Sequence, residues 1–224
     1  IILIISFVLI QAAPGDPVAA LAGDYVTQEY RERIIQHYGL DQSLWQQGIR
    51  YFQNVLRGNF GDSYYFKASV AQVIGERLPQ TLLLVIPSVI LSSLIGILLG
   101  FIATKSANHF LSSGIPLCAT LLNSIPIFWL AYLLLLFFSV KLEWFPIKGM
   151  VNVRIMSAGI DYFLDVLHHL TLPLLTMVLS QLAQILLLTR TRLREEIQIP
   201  YFRTALSKGL SQRRATIYHA LPNA

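Results

Sequence analysis

The residue types with the most specific possibilities lie near the end of the chain, in Tyr201–Ala224. There Arg203, Thr204, Ala205, Lys208, Gly209, Leu210, Ser211 and Arg213 combine fixed positive charge, small side chains and one backbone breaker. None of these makes or breaks bonds in this pattern. A basic amphipathic segment suits a surface, a membrane face or a protein partner. Glycine inside a helical pattern costs about 1 kcal/mol against alanine, so a bend between two short helices accounts for Gly209. Ser211 is placed to cap the second helix. Ala205 and Gly209 are small and four apart, a spacing that permits close docking against a partner. Arg213 and Arg214 are available to acids on that partner. A plain positive-inside anchor is the simpler reading of the same charges.

Amides and hydroxyls in otherwise apolar stretches form the second set. Gln181 and Gln184 are three apart, on roughly one side of a helix. Buried amides require partners, so that side faces other helices or a pore. Ser124, beside Asn123, is polar at membrane depth, where such groups favour a helix interface or a cavity over lipid, unless they simply bond neighbouring backbone. Ser124, Gln181 and Gln184 are therefore the candidates to line a path. Catalytic chemistry is absent from the pattern. Asp161, His169 and Ser180 can be assembled on paper, as can many such trios. His168 and His169 are adjacent and lie on different helix faces, with no Cys or carboxylate at metal-site spacing. The glycine-rich stretch Arg57–Ser63 lacks both a following GK[ST] and a preceding strand, so it is not a phosphate loop.

The elements that position these residues are those of a membrane protein. Of the 224 residues, 54% are apolar and only 13% charged, against about 25% charged in soluble domains. The mean hydropathy is +0.57, and the apolar residues are clustered. The net charge of +5 falls wholly after Thr189: from Arg190 onward there are seven Lys/Arg and two Glu, whereas the first 189 residues balance. A basic excess beside a span marks the cytoplasmic side. Nucleic-acid binding is the rival cause of such a patch and is set aside, because the patch is tethered to apolar spans. Cys118 is the one cysteine, cannot form an internal disulfide, and is expected to be small and buried.

Taken in order, Ile1–Ile10 reads as the end of a first transmembrane helix, stopped by Pro14-Gly15-Asp16-Pro17. Asp16–Arg77 is polar, with helices expected over Thr27–Tyr38 and Ser43–Leu56, the second capped by Asp41 or Ser43. Ala68–Arg77 leads into the membrane. Leu78–Thr104 is uncharged and long enough to cross, with Pro79 in its first turn, a kink at Pro87, and Ser92, Gly96 and Gly100 as a small-residue face for another helix. Phe110–Val140 is uncharged, interrupted by Pro116 and Pro126, and is expected to run outward to Lys141. Lys141–Asp165 is an external loop and Val166–Thr189 the next span. Alternation then puts residues 12–77 outside, a transmembrane core at 78–189, and the basic loop 190–224 in the cytoplasm. The fold class is all-α and polytopic.

Several short stretches in a fixed order carry a family resemblance. They are Ala13-Pro14-Gly15-Asp16-Pro17, Tyr38-Gly39-Leu40-Asp41, Gly58-Asn59-Phe60-Gly61-Asp62-Ser63, Arg77-Leu78-Pro79-Gln80-Thr81, Ser124-Ile125-Pro126-Ile127-Phe128 and Arg203-Thr204-Ala205 followed by Lys208-Gly209-Leu210. Together they resemble the first permease of the bacterial dipeptide/oligopeptide/nickel ABC importers. The resemblance implies a type I importer permease fold in a single domain over 1–224, with about four of six spans present and the chain cut at both ends. It implies residence in the bacterial inner membrane, a second homologous permease, two ATPase subunits and an extracytoplasmic solute-binding protein. ATP and Mg would be held by the ATPases, and no cofactor by this chain. The loop with Arg203, Thr204, Ala205, Lys208 and Gly209 would enter a groove of the ATPase as coupling helices. Leu206 and Pro222 depart from the family pattern, which usually has basic residues there. Peptides suit the uncharged, amide-bearing path; nickel or metal-chelate cargo is the alternative, and a non-transporting scaffold or an intramembrane hydrolase are the rival classes.

Overall fold

The computed structural model describes residues 1–12, 27–29, 32, 35–36, 39–63, 65–152 and 159–223. The chain divides into two compact units, Ile1–Gln80 and Thr81–Ala224.

In the first unit, α1 (Ile2–Ala12) is apolar on every side, as a membrane segment requires. The turn at Pro14–Pro17 lies outside the described residues, as do Tyr30, Ile34 and Tyr38 of the helix expected from Thr27, although residues 28, 29, 32, 35 and 36 are helical. Helix α2 (Leu44–Leu56) starts where the sequence places it. Of the two expected caps it is Ser43 that acts, in a reciprocal capping box with Gln46. The face carrying Gly48 and Tyr51 meets Phe7 of α1, with the Phe7 and Tyr51 rings 5.7 Å apart, and Gln11 donates to Gln47 at 2.8 Å. After Gly58 and Gly61, both at positive φ, a short antiparallel ladder pairs β1 (Asp62–Ser63) with β2 (Ala68–Ser69).

Helix α3 (Val70–Lys105) joins what the sequence divides into a lead-in and a span. Its 36 residues are continuous through Pro79 and Pro87, so Pro79 is interior and not in a first turn. Within the second unit its burial pattern is inverted relative to a soluble helix. Ser88, Ser92, Gly96, Gly100 and Ala103 are buried, while Leu82, Ile86, Ile90 and Leu94 are exposed. Small residues inward and large apolar ones outward are the arrangement of a helix that packs on protein with one face and on lipid with the others.

That inward face meets α6 (Ile160–Glu196), a 37-residue helix with Pro173 inside it. A Cβ at Gly96 would lie 2.9 Å from the Ile185 side chain, and one at Gly100 would lie 2.8 Å from Thr189 and 2.9 Å from the Leu186 carbonyl oxygen. The expected small-residue contact is therefore formed, and α6 is its partner. Helix α6 begins at Ile160, earlier than expected, after Gly159 at positive φ. In its first turns, His168 bonds the Trp144 carbonyl at 2.8 Å and its ring centre lies 5.3 Å from that of the tilted Phe145 ring, while His169 bonds the Asp165 carbonyl at 2.8 Å. Both imidazoles are thus engaged near the start of the helix. Asp161 and Ser180 both lie on α6, about 28 Å apart at 1.5 Å per residue, so the paper triad cannot converge.

The stretch expected as one crossing from Phe110 to Val140 is broken. A π-helical turn (Phe110–Gly114) leads into α4 (Ile115–Asn123), and α5 (Ile127–Leu134) continues in a second π-helical stretch to Lys141. The two halves are bent by 97° at the break. Pro116 lies in the first turn of α4, directly after the π-helical turn. Pro126 is extended, at φ −57° and ψ 136°, and it is there that the path turns. Both halves pack on α6. Cys118 is exposed, contrary to expectation, and opens onto an apolar cavity of about 250 Å³ beside Leu99, Leu122 and Leu186.

Candidate functional site

The basic segment after α6 folds as two short helices, α7 (Pro200–Ser207) and α8 (Gln212–Ala215), followed by a π-helical turn (Thr216–Ala220) and a 3-10 turn (Leu221–Asn223). Pro200 opens α7, where its missing N–H costs nothing. The helix ends in a Schellman motif: the Gly209 N–H bonds the Leu206 carbonyl at 2.9 Å and the Leu210 N–H bonds the Ala205 carbonyl at 3.3 Å. Gly209 occupies the left-handed position of that motif at φ 87°. Ser211 then accepts from the Arg214 N–H at 3.4 Å and caps α8, as its type and position predict.

One apolar cluster holds the loop down. Leu193 of α6, Phe202 and Ala205 of α7, Ala215 of α8 and Ala220 are buried together, with Phe101, Ile197, Leu210 and Leu221 packed around them. Phe202 is the largest member and is only 2% exposed. The Lys105 ammonium, at the end of α3, lies 5.9 Å from the centre of its ring. A second tie is polar. The Tyr201 hydroxyl donates to Glu196, the last residue of α6, and lies 3.1 Å from the His219 carbonyl oxygen, which also accepts from the Asn223 amide at 2.8 Å. The bond to Glu196, with partial burial behind it, raises the Tyr201 phenol above its ordinary value. Nearby, α6 itself is tied to the π-helical turn before α4, where Arg190 donates to the Ser112 carbonyl at 3.1 Å.

This anchoring sorts the residues singled out in the sequence. Arg203, Thr204, Lys208, Gly209, Ser211, Gln212, Arg213 and Arg214 are exposed on the outer side of the loop. Leu210 is half-buried against the cluster. Ala205 turns its methyl group into the cluster, and Gly209 lies beyond the end of α7 with open space around it, so the two do not form a small-residue face for a partner. Gly209 is required for its dihedral angle and not for room. Among the described residues, neither Arg203, Lys208, Arg213 nor Arg214 has an acidic partner, whereas Arg192 pairs with Glu195 at 3.2 Å. The outer side is therefore a positive surface backed by the buried cluster. Leu206 is 37% exposed at the rim of this surface, and Pro222 is exposed in the terminal turn.

The three path candidates stand apart. Gln181 is half-buried between helices and accepts from Ser92 at 3.3 Å. Gln184 is exposed on α6. Ser124 is exposed at the break between α4 and α5, with its hydroxyl on the Thr120 carbonyl at 2.9 Å. Among the described residues no hydrogen bond joins Ser124 to either glutamine. Sequence reasoning passed over Phe202, Tyr201 and Glu196. Phe202 was signalled by its apolar i,i+3 spacing with Ala205 inside an otherwise polar segment. The Tyr201–Glu196 contact spans a turn whose path no periodicity reports.

Comparison with known proteins covers the whole chain. A family model described as binding-protein-dependent transport system inner membrane component matches residues 96–224, and the N-terminal model of such membrane components matches residues 1–85. The chain is 34% identical over 224 residues to the oligopeptide transport system permease protein AppB of Bacillus subtilis, a match covering 100% of this chain and 70% of that protein. It is 35% identical to a putative peptide transport system permease protein of Brucella abortus, covering 100% of this chain and 69% of the relative. It is 31% identical over 236 residues to the di/tripeptide transport system permease protein DppB of Pseudomonas aeruginosa, covering 99% of this chain and 70% of the relative.

Proposed function

Because the chain belongs to the family of binding-protein-dependent transport system inner membrane components, we propose that this multi-pass membrane protein is a permease subunit of an ATP-driven importer for di- and oligopeptides. The cargo class is supported by the relatives, whose names are those of oligopeptide and di/tripeptide permeases. The observation that carries the mechanism is the exposed, acid-free positive side of the α7–α8 loop, backed by a buried cluster that reaches the ends of α3 and α6. A partner pressing on Arg203, Thr204, Lys208 and Arg213 would push on the spans through Phe202, with little give in between.

In this reading residues 190–224 are cytoplasmic and receive an ATPase subunit, which holds ATP and Mg. Residues 12–77 are extracytoplasmic and face the solute-binding protein. The core at 78–189 lines a path with a second, homologous permease, and Ser124, Gln181 and Gln184 are its candidate polar contacts. Acids on the ATPase would pair with the exposed cations of the loop. Gly209 sets the angle at which α7 and α8 are presented, since a residue with a Cβ resists φ 87°.

Gly209→Leu in the complex, reconstituted with both permeases, both ATPases and the binding protein, tests this. Membrane insertion depends on the apolar spans and is expected to be unchanged. ATPase association, or hydrolysis stimulated by the loaded binding protein, is expected to fall about tenfold, the effect of 1.4 kcal/mol, within the range for forcing a left-handed residue. Association, stimulated hydrolysis and transport all at wild-type levels would show that the loop is only a basic anchor.

A further inference from the structure

The loop and α6 meet at two points of different character. The apolar cluster around Phe202 is non-directional, and packing of that kind resists separation better than it resists rotation. The polar tie lies next to it. Ile197, Gln198 and Ile199 close the end of α6 with backbone bonds to Leu193, Glu195 and Glu196, and the chain then re-enters a helix at Pro200. Tyr201 follows at once, and its hydroxyl returns to the Glu196 carboxylate. A phenol has a single proton to donate, and the charged acceptor takes it in preference to a carbonyl. The nearby His219 carbonyl is supplied instead by Asn223. One phenol oxygen therefore stands where the end of the membrane-crossing helix, the first turn of α7 and the terminal turns come together. Tyr201 is 37% exposed, so its ring is not what fills the core.

We propose that Tyr201 and Glu196 form a positioning latch that stops α7 from rotating about Phe202, so that force applied to the loop's outer side reaches α6 as a displacement of the helix. Adjacent residues on a helix point about 100° apart, so a pivot at Phe202 and a hydrogen bond at Tyr201 constrain two different directions. With the latch open, the loop stays seated but turns under load. This inference rests on the coupling role proposed for the loop.

The test uses the complete complex in lipid nanodiscs with its binding protein, and a casein digest as a mixed-peptide probe. The readout is the ratio of peptide-stimulated to basal ATP hydrolysis, alongside the yield of assembled complex. Tyr201→Phe removes only the hydroxyl and is expected to leave assembly at wild-type yield while lowering the ratio about fivefold, within the range for an ordinary intramolecular hydrogen bond at a solvent-exposed site. Glu196→Ala should match it. Glu196→Gln keeps an oxygen acceptor and should restore most of the ratio. A wild-type ratio in Tyr201→Phe, or a fall matched by an equal loss of assembled complex, would overturn the latch. If Gly209→Leu uncouples hydrolysis and Tyr201→Phe does not, the latch fails and the coupling role stands. If neither substitution changes the ratio, or the wild type shows no stimulation, both readings fall.

Discussion

Where α3 meets α6, the contact is made by what is missing: Ser92, Gly96 and Gly100 present almost no side chain, and two backbones come close enough that a Cβ at Gly100 would lie 2.9 Å from a carbonyl oxygen. Where the basic loop meets α6, the apolar part of the contact is made by one large side chain, Phe202, seated among alanines and leucines. The difference follows from the solvent. Among lipid tails an apolar side chain gains little by leaving lipid for protein, so close packing of small residues and a few hydrogen bonds supply the attraction. The basic loop is amphipathic and polar on its outer side, so burying a phenyl ring gains the full hydrophobic contribution. The glycines show the same division. Gly96 and Gly100 are needed for space, whereas a methyl group at Gly209 would meet nothing within 4 Å, and that glycine is needed for φ 87°.

Phe202→Ala breaks the loop side of this comparison and should have the largest effect. Truncating a buried phenylalanine costs about 3–5 kcal/mol. Trypsin cleavage after Arg203, Lys208 and Arg213 should accelerate strongly in membranes carrying this variant, while α6 stays protected; unchanged cleavage would mean that the loop is held by its polar ties alone.

Gly100→Leu breaks the membrane side. The added side chain meets Thr189 and the Leu186 carbonyl, which is backbone and cannot move aside, so overpacking of about 1–3 kcal/mol or more is expected. A lower thermal midpoint in nanodiscs, with normal loop proteolysis, is the expected result. The contrast sharpens with asparagine, which tolerates the left-handed region. Gly209→Asn should be nearly silent by thermal midpoint and Gly100→Asn should not. Equal effects would remove the distinction between the two kinds of glycine.

The smallest effect is expected at Gln181. Gln181→Leu removes the bond from Ser92, but the Ser92 hydroxyl also reaches the Val89 carbonyl at 3.1 Å and is not left stranded. Interhelical hydrogen bonds of this kind contribute about 0.6 kcal/mol on average. A small shift in thermal midpoint is expected for Gln181→Leu and none for Gln184→Leu, since Gln184 is exposed. Peptide uptake by Gln184→Leu then reports on path lining without a confounding change in stability, and unchanged uptake would remove Gln184 from the path.

Local chemistry was legible in the amino-acid order. Ser43 with Gln46, Ser211 before Gln212, Gly209 between two short helices and the small-residue face of α3 depend on residues a few positions apart, and each was readable for that reason. The uncharged runs and the basic excess after Thr189 likewise needed only composition and distance along the chain. Tertiary structure decided the rest. Pro126 predicts an interruption, but the 97° turn there depends on the path available where both halves pack on α6. Helix α3 runs unbroken from Val70 through two prolines. Neighbouring groups in a membrane helix can meet the needs of the backbone that proline leaves open, and their presence is not written in the local sequence. Ala205 looks like a docking residue until α7 is seated, when its methyl group turns inward with Phe202. Tyr201 finds Glu196 only after the chain has turned at Pro200, because a side-chain hydrogen bond across a turn depends on three-dimensional closure, and periodicity along a single helix does not encode it.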